Sequence, residues 1–278
     1  MCSVITLTTD FGSKDAYVAS MKGVILSINQ KANIVDICHS IQPQNVLQAA
    51  FVFGTAYRYF PEGTIHVIVV DPGVGSQRKS VILKTPWAYF LAPDNGVLSY
   101  VIEELFTGRI LDSISDSDTI EIKRLSSEVE AVAITNPEFW LEKVSTTFHG
   151  RDIFAPVAAG LSTGVPLYKF GDRIDHIHYL SITYPYLNAS GRLVGTVLHI
   201  DNFGNIITNI KAGDLKSHNI EIEIGNELIH GISRFYAEKS GLAAIFGSNG
   251  YLEISLTNGN AADHLKINLG DFLSVASK

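Results

Sequence analysis

One run of the sequence limits the possible folds more than any other. Residues 64–70 read Thr-Ile-His-Val-Ile-Val-Val, and Asp71-Pro72-Gly73-Val74-Gly75 comes directly after it. A strand that is apolar at successive positions leaves no face for water, so it belongs inside a sheet covered on both sides. Its neighbours supply the covering layers. Residues 4–8 are short and β-branched and read as a strand. Residues 15–29 place Tyr17, Val18, Met21, Val24, Ile25 and Ile28 at helical spacing, and a strand over 33–38 comes next. A second apolar helix spans 46–60, stopped by Pro61. Residues 79–84 and 87–91 predict a β-pair around Thr85-Pro86, and Asp94-Asn95-Gly96 predicts a cap for a helix over 97–106. Residues 113–129 are polar and read as irregular or short extended structure, and 152–161 read as a helix with Pro156 early in it. This alternation predicts an N-terminal α/β domain with a largely parallel sheet over residues 1–183.

After a Pro/Tyr/Asn/Ser-rich stretch at 184–191, read as a linker, the texture changes. Seven short strand-like runs (193–200, 206–210, 220–224, 228–232, 242–246, 252–256 and 272–276) are separated by turn signals such as Gly225-Asn226 and Asn258-Gly259. Residues 192–278 are therefore expected to form a C-terminal antiparallel β-barrel domain. With 46% hydrophobic and 18% charged residues, the chain can bury two such cores. A net charge of −7 without a basic run argues against nucleic acid or an anionic membrane as partner. Two cysteines, Cys2 and Cys38, exclude a disulfide framework and fit a reducing compartment. The first residues lack the basic-then-apolar order of a signal peptide, and no apolar run reaches ~18–20 residues. A cytoplasmic location is expected.

Four segments are richer in polar residues and glycine than their neighbours require. Thr8-Thr9-Asp10-Phe11-Gly12 lies just after the first strand, where open α/β sheets bind ligands, and a carboxylate there can accept both hydroxyls of a ribose. In residues 70–78, Asp71 and Arg78 stand seven apart, so the glycine-containing loop can fold one onto the other. It lacks the Gly-Lys-Ser/Thr ending of a phosphate-binding loop. Thr147-Phe148-His149-Gly150-Arg151-Asp152 places a histidine beside a glycine at the start of a helix. Asp201-Asn202-Phe203-Gly204-Asn205 joins amides to an aromatic ring, as suits a flat polar ligand. Taken singly, each segment is equally what a helix cap, an Asx turn or a surface ion pair looks like. His176-Ile177-His178 lacks a third ligand motif, so no metal site is assigned.

Together, and with Asp36-Ile37-Cys38-His39-Ser40-Ile41, Ala92-Pro93-Asp94-Asn95-Gly96 and Asn260-Ala261-Ala262, these segments resemble the S-adenosyl-L-methionine (SAM) hydroxide adenosyltransferases. The halide-using fluorinase and chlorinase are relatives of that family. The resemblance implies hydrolysis of SAM to adenosine and L-methionine by in-line attack of water at C5′, with no cofactor. It implies a homotrimer with the ligand between the N-terminal domain of one subunit and the C-terminal domain of its neighbour. It places Asp71, Arg78 and His149 around the attacking water, Asp10 on the ribose diol, and Asp201, Phe203 and Asn205 on methionine and adenine. Tyr236, Ser248, Asn260 and Ala261 match further ligand contacts. The fluorinase has Tyr in place of Asp71 and of His149, and Ser in place of Gly150, so this sequence resembles the water-using branch. Two other classes remain open: a non-catalytic SAM- or adenosine-binding protein, and a halide-using transferase.

Overall fold

Strand residues of the N-terminal half alternate between two apolar layers, and that alternation organises the computed structural model. It describes residues 4–105, 120–126, 128–217 and 219–277. These fall into two compact units that divide between Ile182 and Thr183.

The first unit contains, in order, β1 (Val4–Thr9), α1 (Tyr17–Ile28), β2 (Asn33–Cys38), α2 (Val46–Ala56), β3 (Thr64–Val69), β4 (Ser80–Lys84), β5 (Ala88–Pro93), α3 (Ser99–Leu105), β6 (Ile120–Arg124), β7 (Glu130–Ile134), α4 (Ala155–Ser162), β8 (Gly171–Ile174) and β9 (His176–Leu180). Seven strands form one sheet in the order β2-β1-β3-β5-β4-β7-β8, and β6 pairs with β9 separately. Ile5, Leu7, Ile65, Val67, Ile82 and Leu91 pack on one face with Met21 and Ile25 of α1 and Val157 of α4. Ile68, Val81, Leu83, Phe90 and Ala92 pack on the other with Phe53 of α2 and Val101 and Ile102 of α3. β3, β4 and β5 thus feed both layers, as the almost wholly apolar run at 64–70 requires.

The parallel arrangement covers β2, β1, β3 and β5. From β4 onward, through β7 and β8, the pairing is antiparallel. This reversal sets the path of the loop after β3. β3 finishes at the carboxyl end of the sheet, and β4 starts at that same end on the far side of β5. The connection, residues 70–79, therefore has to cross the carboxyl end of β5. It is pinned there: the Asn95 side chain donates to the Val70 carbonyl at 3.0 Å, and the Asp94 amide donates to the Lys79 carbonyl at 2.9 Å.

Several expectations shift in detail. The helix expected over 46–60 stops at Ala56 and tightens into a 3₁₀ turn before Pro61. The helix expected from 152 begins as a single π turn at Gly150–Phe154 and becomes α-helical at Ala155. Of the stretch read as irregular or short extended, 120–124 is strand β6, while 113–119 and 127 lie outside the described residues.

The second unit contains β10 (Tyr186–Leu187), β11 (Leu193–Ile200), β12 (Ile206–Lys211), β13 (Ile220–Ile224), β14 (Glu227–His230), β15 (Leu242–Phe246), β16 (Tyr251–Leu256), α5 (Ala261–Leu265) and β17 (Phe272–Ser277). β10 lies within the stretch read as a linker and pairs with β11. The remaining strands run antiparallel in the order β14-β13-β17-β11-β12-β16-β15. The chain just beyond β14 reaches the far edge, where the Ser233 amide donates to the Ala244 carbonyl at 2.7 Å, so the sheet closes almost into a barrel. Its interior holds Val197, Ile206, Ile222, Ile224, Ile254 and Val275 from alternating positions.

Candidate active site

Two chain segments converge at the carboxyl end of the first unit's sheet. The loop between β3 and β4 brings Asp71 and Arg78, and the turn that opens the π-helical segment brings His149. Gly75 explains how the two meet. Its φ is +78°, and a Cβ built on it would stand 2.4 Å from the Thr146 carbonyl oxygen. Only glycine allows this loop to lie on the backbone that precedes His149.

Arg78 is the hub. Its Nε donates to Asp71 Oδ1 at 3.0 Å, and its Nη2 donates to Asp71 Oδ2, so the fork grips the carboxylate with two bonds. Nη1 donates to Ser80 Oγ at 2.6 Å, and Nη2 lies 3.0 Å from His149 Nδ1. The pair is nearly sealed from water: the side chains of Arg78 and Asp71 are 11% and 5% exposed. A guanidinium can only donate, so His149 Nδ1 is the acceptor, and a neutral ring then carries its proton on Nε2. The titration of His149 agrees. Burial lowers its pKa below 6.5, and the Arg78 charge lowers it further, against smaller opposing effects from Asp71, Asp152 and a hydrogen bond with the Ser145 backbone.

Asp10 stands at the carboxyl end of β1. Its Oδ2 accepts from the Gln44 amide at 2.7 Å. Beside it, Thr9 Oγ1 is 2.8 Å from His39 Nδ1, and the Gly12 amide donates to the His39 carbonyl, which ties the β1 and β2 loops together. Phe11, Tyr17 and Phe148 form an aromatic cluster with centroids 5.1–5.7 Å apart. A Cβ on Gly150 would meet Met21 Sδ, Phe148 and Phe11 at 3.3–3.4 Å, so the cluster closes around the glycine.

In the second unit, Asp201, Phe203, Asn205 and Tyr236 line a cavity of about 590 Å³ together with residues 255–259. The Asp201 carboxylate is occupied within its own loop. It accepts from the amides of Phe203 and Asn205, both at 2.9 Å, and from the Asn205 side chain at 2.8 Å. It braces the loop and leaves Phe203 standing out, 76% exposed. Tyr236 donates its hydroxyl to Glu253 at 2.8 Å. Burial and that bond push the tyrosine up to about 12, and burial with the nearby Asp201 charge raises the Glu253 carboxyl. Asn260 caps α5 by accepting from the Asp263 amide at 2.9 Å and packs under Gly204, so it supports the loop from below. Ala261 is fully buried, and Ser248 sits in an exposed turn; neither lines the cavity.

Sequence reasoning passed over Ser80 and Glu253. Ser80 gives no signal beyond its place two residues after Arg78. Glu253 leaves one trace, the only charged residue in the strand-like run 252–256, and it is buried in the structure. His176 and His178 are each engaged by a different carboxylate, Asp175 and Asp94. Among the described residues, no group of three or more His, Cys, Asp or Glu is placed to hold a metal ion. Nor is any helix among them long and apolar enough to cross a membrane.

Comparison with known proteins converges on one family. The model of the SAM hydroxide adenosyltransferase N-terminal domain matches residues 5–171, and that of the C-terminal domain matches residues 195–274. An (R)-S-adenosyl-L-methionine hydrolase of Methanocaldococcus jannaschii is 35% identical over 98% of this chain and 95% of its own length. A fluorinase of Nocardia brasiliensis is 32% identical over 77% of this chain and 73% of its own. The crystal structure of an uncharacterized conserved protein from Thermotoga maritima superposes with a TM-score of 0.83 at 35% identity, covering 98% of this chain and 99% of that one.

Proposed function

The chain belongs to the SAM hydroxide adenosyltransferase family, and from that membership and the site's geometry we propose that it hydrolyses S-adenosyl-L-methionine to adenosine and L-methionine. One observation carries the reading: Arg78 is gripped by Asp71 and lies against His149 in a nearly dry site at the end of the sheet.

Water attacks C5′, the C5′–S bond breaks, and sulfur leaves with the electron pair as a neutral thioether. The leaving group needs no acid. The difficulty lies with water, a weak nucleophile. Four of the five N–H donors of Arg78 have protein partners, and the fifth, on Nη1, holds the attacking oxygen and stabilises its hydroxide-like charge. Each Asp71 oxygen retains a lone pair beyond the one used by Arg78, and Asp71 accepts the water proton. His149 steadies Arg78 from the other side. With its proton on Nε2, the neutral ring is a donor and not the first base. General-base assistance supplies about 10²–10⁴-fold, and fixed geometry and charge supply the rest. Asp10 takes the ribose diol through the oxygen that Gln44 leaves free. Phe203 lies on the adenine face.

The reading includes a homotrimer in the cytoplasm, the substrate bridging the N-terminal domain of one subunit and the C-terminal domain of the next, and no cofactor. Light scattering checks the subunit number. The decisive experiment incubates the protein with SAM in halide-free H₂¹⁸O and tracks products by chromatography and mass spectrometry. Adenosine labelled at the 5′ oxygen supports the proposal. Absence of turnover, or 5′-chloro-5′-deoxyadenosine appearing only with chloride, overturns it.

A further inference from the structure

Asp152 is the most deeply buried carboxylate in the first unit's site region, with no exposed surface, and the proposed reaction makes no use of it. Its bonds run in one direction. Oδ2 accepts from the Ser145 amide at 2.8 Å and from Ser145 Oγ at 2.7 Å, while Oδ1 accepts from Arg151 Nε at 2.6 Å. Ser145 Oγ in turn accepts from the Phe148 amide at 3.1 Å, and the Phe148 carbonyl accepts from the amides of Arg151 and Asp152. Residues 145–152 are thus closed into a knot with Asp152 at its centre, and His149 sits inside it. The same segment offers the Thr146 carbonyl on which Gly75 lies, so the knot also bears on the loop that carries Asp71.

This arrangement exceeds what folding a helix start requires. An N-terminal cap needs one side-chain acceptor near the first turn. Here a fully buried charge takes both donors of one residue four positions before the histidine, and the hydroxyl of that residue in turn holds the Phe148 amide directly beside it. We infer that Asp152 is a positioning residue: by clamping Ser145 through its amide and its hydroxyl, it fixes the His149 ring at the distance where Nδ1 meets the Arg78 fork. The inference deepens the hydrolase reading and rests on it for its kinetic consequence.

The groups that face His149 are Arg78 and Asp71 from the loop between β3 and β4, and Asp152 and Ser145 from its own segment. Of these, Asp152 and Asp71 favour the protonated ring, and Arg78 disfavours it. Loosening the clamp while keeping the Asp152 charge therefore has a signature of its own: as the ring leaves the Arg78 fork, His149 titrates at a higher pH.

The test uses the full-length chain. Ser145→Ala removes the hydroxyl that joins Asp152 to the Phe148 amide and keeps the Asp152 charge. His149 is observed by imidazole NMR, its signal assigned by its disappearance in His149→Gln, and SAM turnover is measured alongside. The expected result is a folded variant with KM within about twofold, kcat reduced about tenfold or more, and the His149 midpoint displaced to higher pH as the ring leaves Arg78. A folded variant whose His149 midpoint stays in place or falls overturns the inference, whatever happens to kcat. Should Ser145→Ala not fold, Asp152→Asn is measured instead: reduced kcat with KM within about twofold supports the clamp, and a midpoint displaced to lower pH with kcat unchanged is the effect of charge alone and overturns it. If the unaltered protein does not turn over SAM, the hydrolase reading fails, and the NMR arm still decides the clamp.

Discussion

Replacing Arg78 by Met separates two consequences that the geometry joins. The first is structural. Asp71 keeps a charge that is 5% exposed and loses its bidentate partner, while Ser80 and His149 each lose a donor. Breaking a buried pair by removing one member costs about 3–5 kcal/mol. For a chain of this size that is roughly 2–4 °C per kcal/mol, or a fall of roughly 6–20 °C in Tm. The second is catalytic. Removing a fixed donor aimed at developing negative charge costs about 10²–10³ in kcat. The double variant Asp71→Asn/Arg78→Met leaves no unpaired ion, so it is expected to recover most of the lost Tm and none of the lost kcat. The assay is adenosine release over a range of SAM concentrations, with thermal melts on the same samples. If the single variant raises KM and leaves kcat intact, Arg78 merely binds substrate. If the double variant regains activity together with stability, the electrostatic argument is wrong.

Phe203→Ala removes a ring that is 76% exposed, so Tm is expected to hold while KM for SAM rises about tenfold, the loss of one base–aromatic stack; an unchanged KM removes Phe203 from the site. Gly75→Ala puts a Cβ 2.4 Å from the Thr146 carbonyl at a φ of +78°, and is expected to destabilise by more than about 1 kcal/mol in denaturant titration and to reduce kcat as the Asp71 loop lifts. The pH profile of kcat should be flat through neutrality and fall only below 6.5. The folded-state pKa of His149 is depressed, so the neutral ring persists until pH drops through that lowered value, where a proton on Nδ1 expels the Arg78 donor. An acid limb centred above 6.5 would contradict this.

Much of the fold was legible because burial writes itself into sequence at fixed periods. The run at 64–70 demanded cover on both faces, and the period-2 runs after 192 demanded a closed or stacked sheet. The reversal at β4 was not legible in the same way. Residues 79–84 look alike whether the strand runs up or down; direction is fixed by where the 70–79 loop crosses β5, and that depends on bonds from Asn95 and Asp94, which read as a mere cap. Among the site residues, the seven-residue spacing of Asp71 and Arg78 anticipated their pairing. The approach of His149, 71 positions beyond Arg78, rests on the glycine-to-carbonyl contact at Gly75 and Thr146, and no local pattern announces such a contact. Asp201 shows a different limit: its type and place suggested a ligand contact, and it lines the second unit's cavity, but no local pattern announces the three acceptor bonds with which it also braces its own loop.

The charge arrangement explains why a site for a cationic substrate can be built around an arginine. A sulfonium repels a bare guanidinium, and the repulsion strengthens as water is excluded. Asp71 cancels the Arg78 charge at a distance while leaving one Nη1 proton to face the nucleophile. His149, held neutral beside it, adds no second positive charge. On the hydrolase reading, the trio presents a substrate with almost no net field but presents an oxygen with a directed donor and a nearby carboxylate. Attack then brings an incipient hydroxide toward a sulfonium, and charge disappears along the reaction coordinate, a change that a dry site favours. A lysine at 78 would keep the charge and lose the fork, and with it the simultaneous grip on Asp71, Ser80 and His149 that makes the compensation possible.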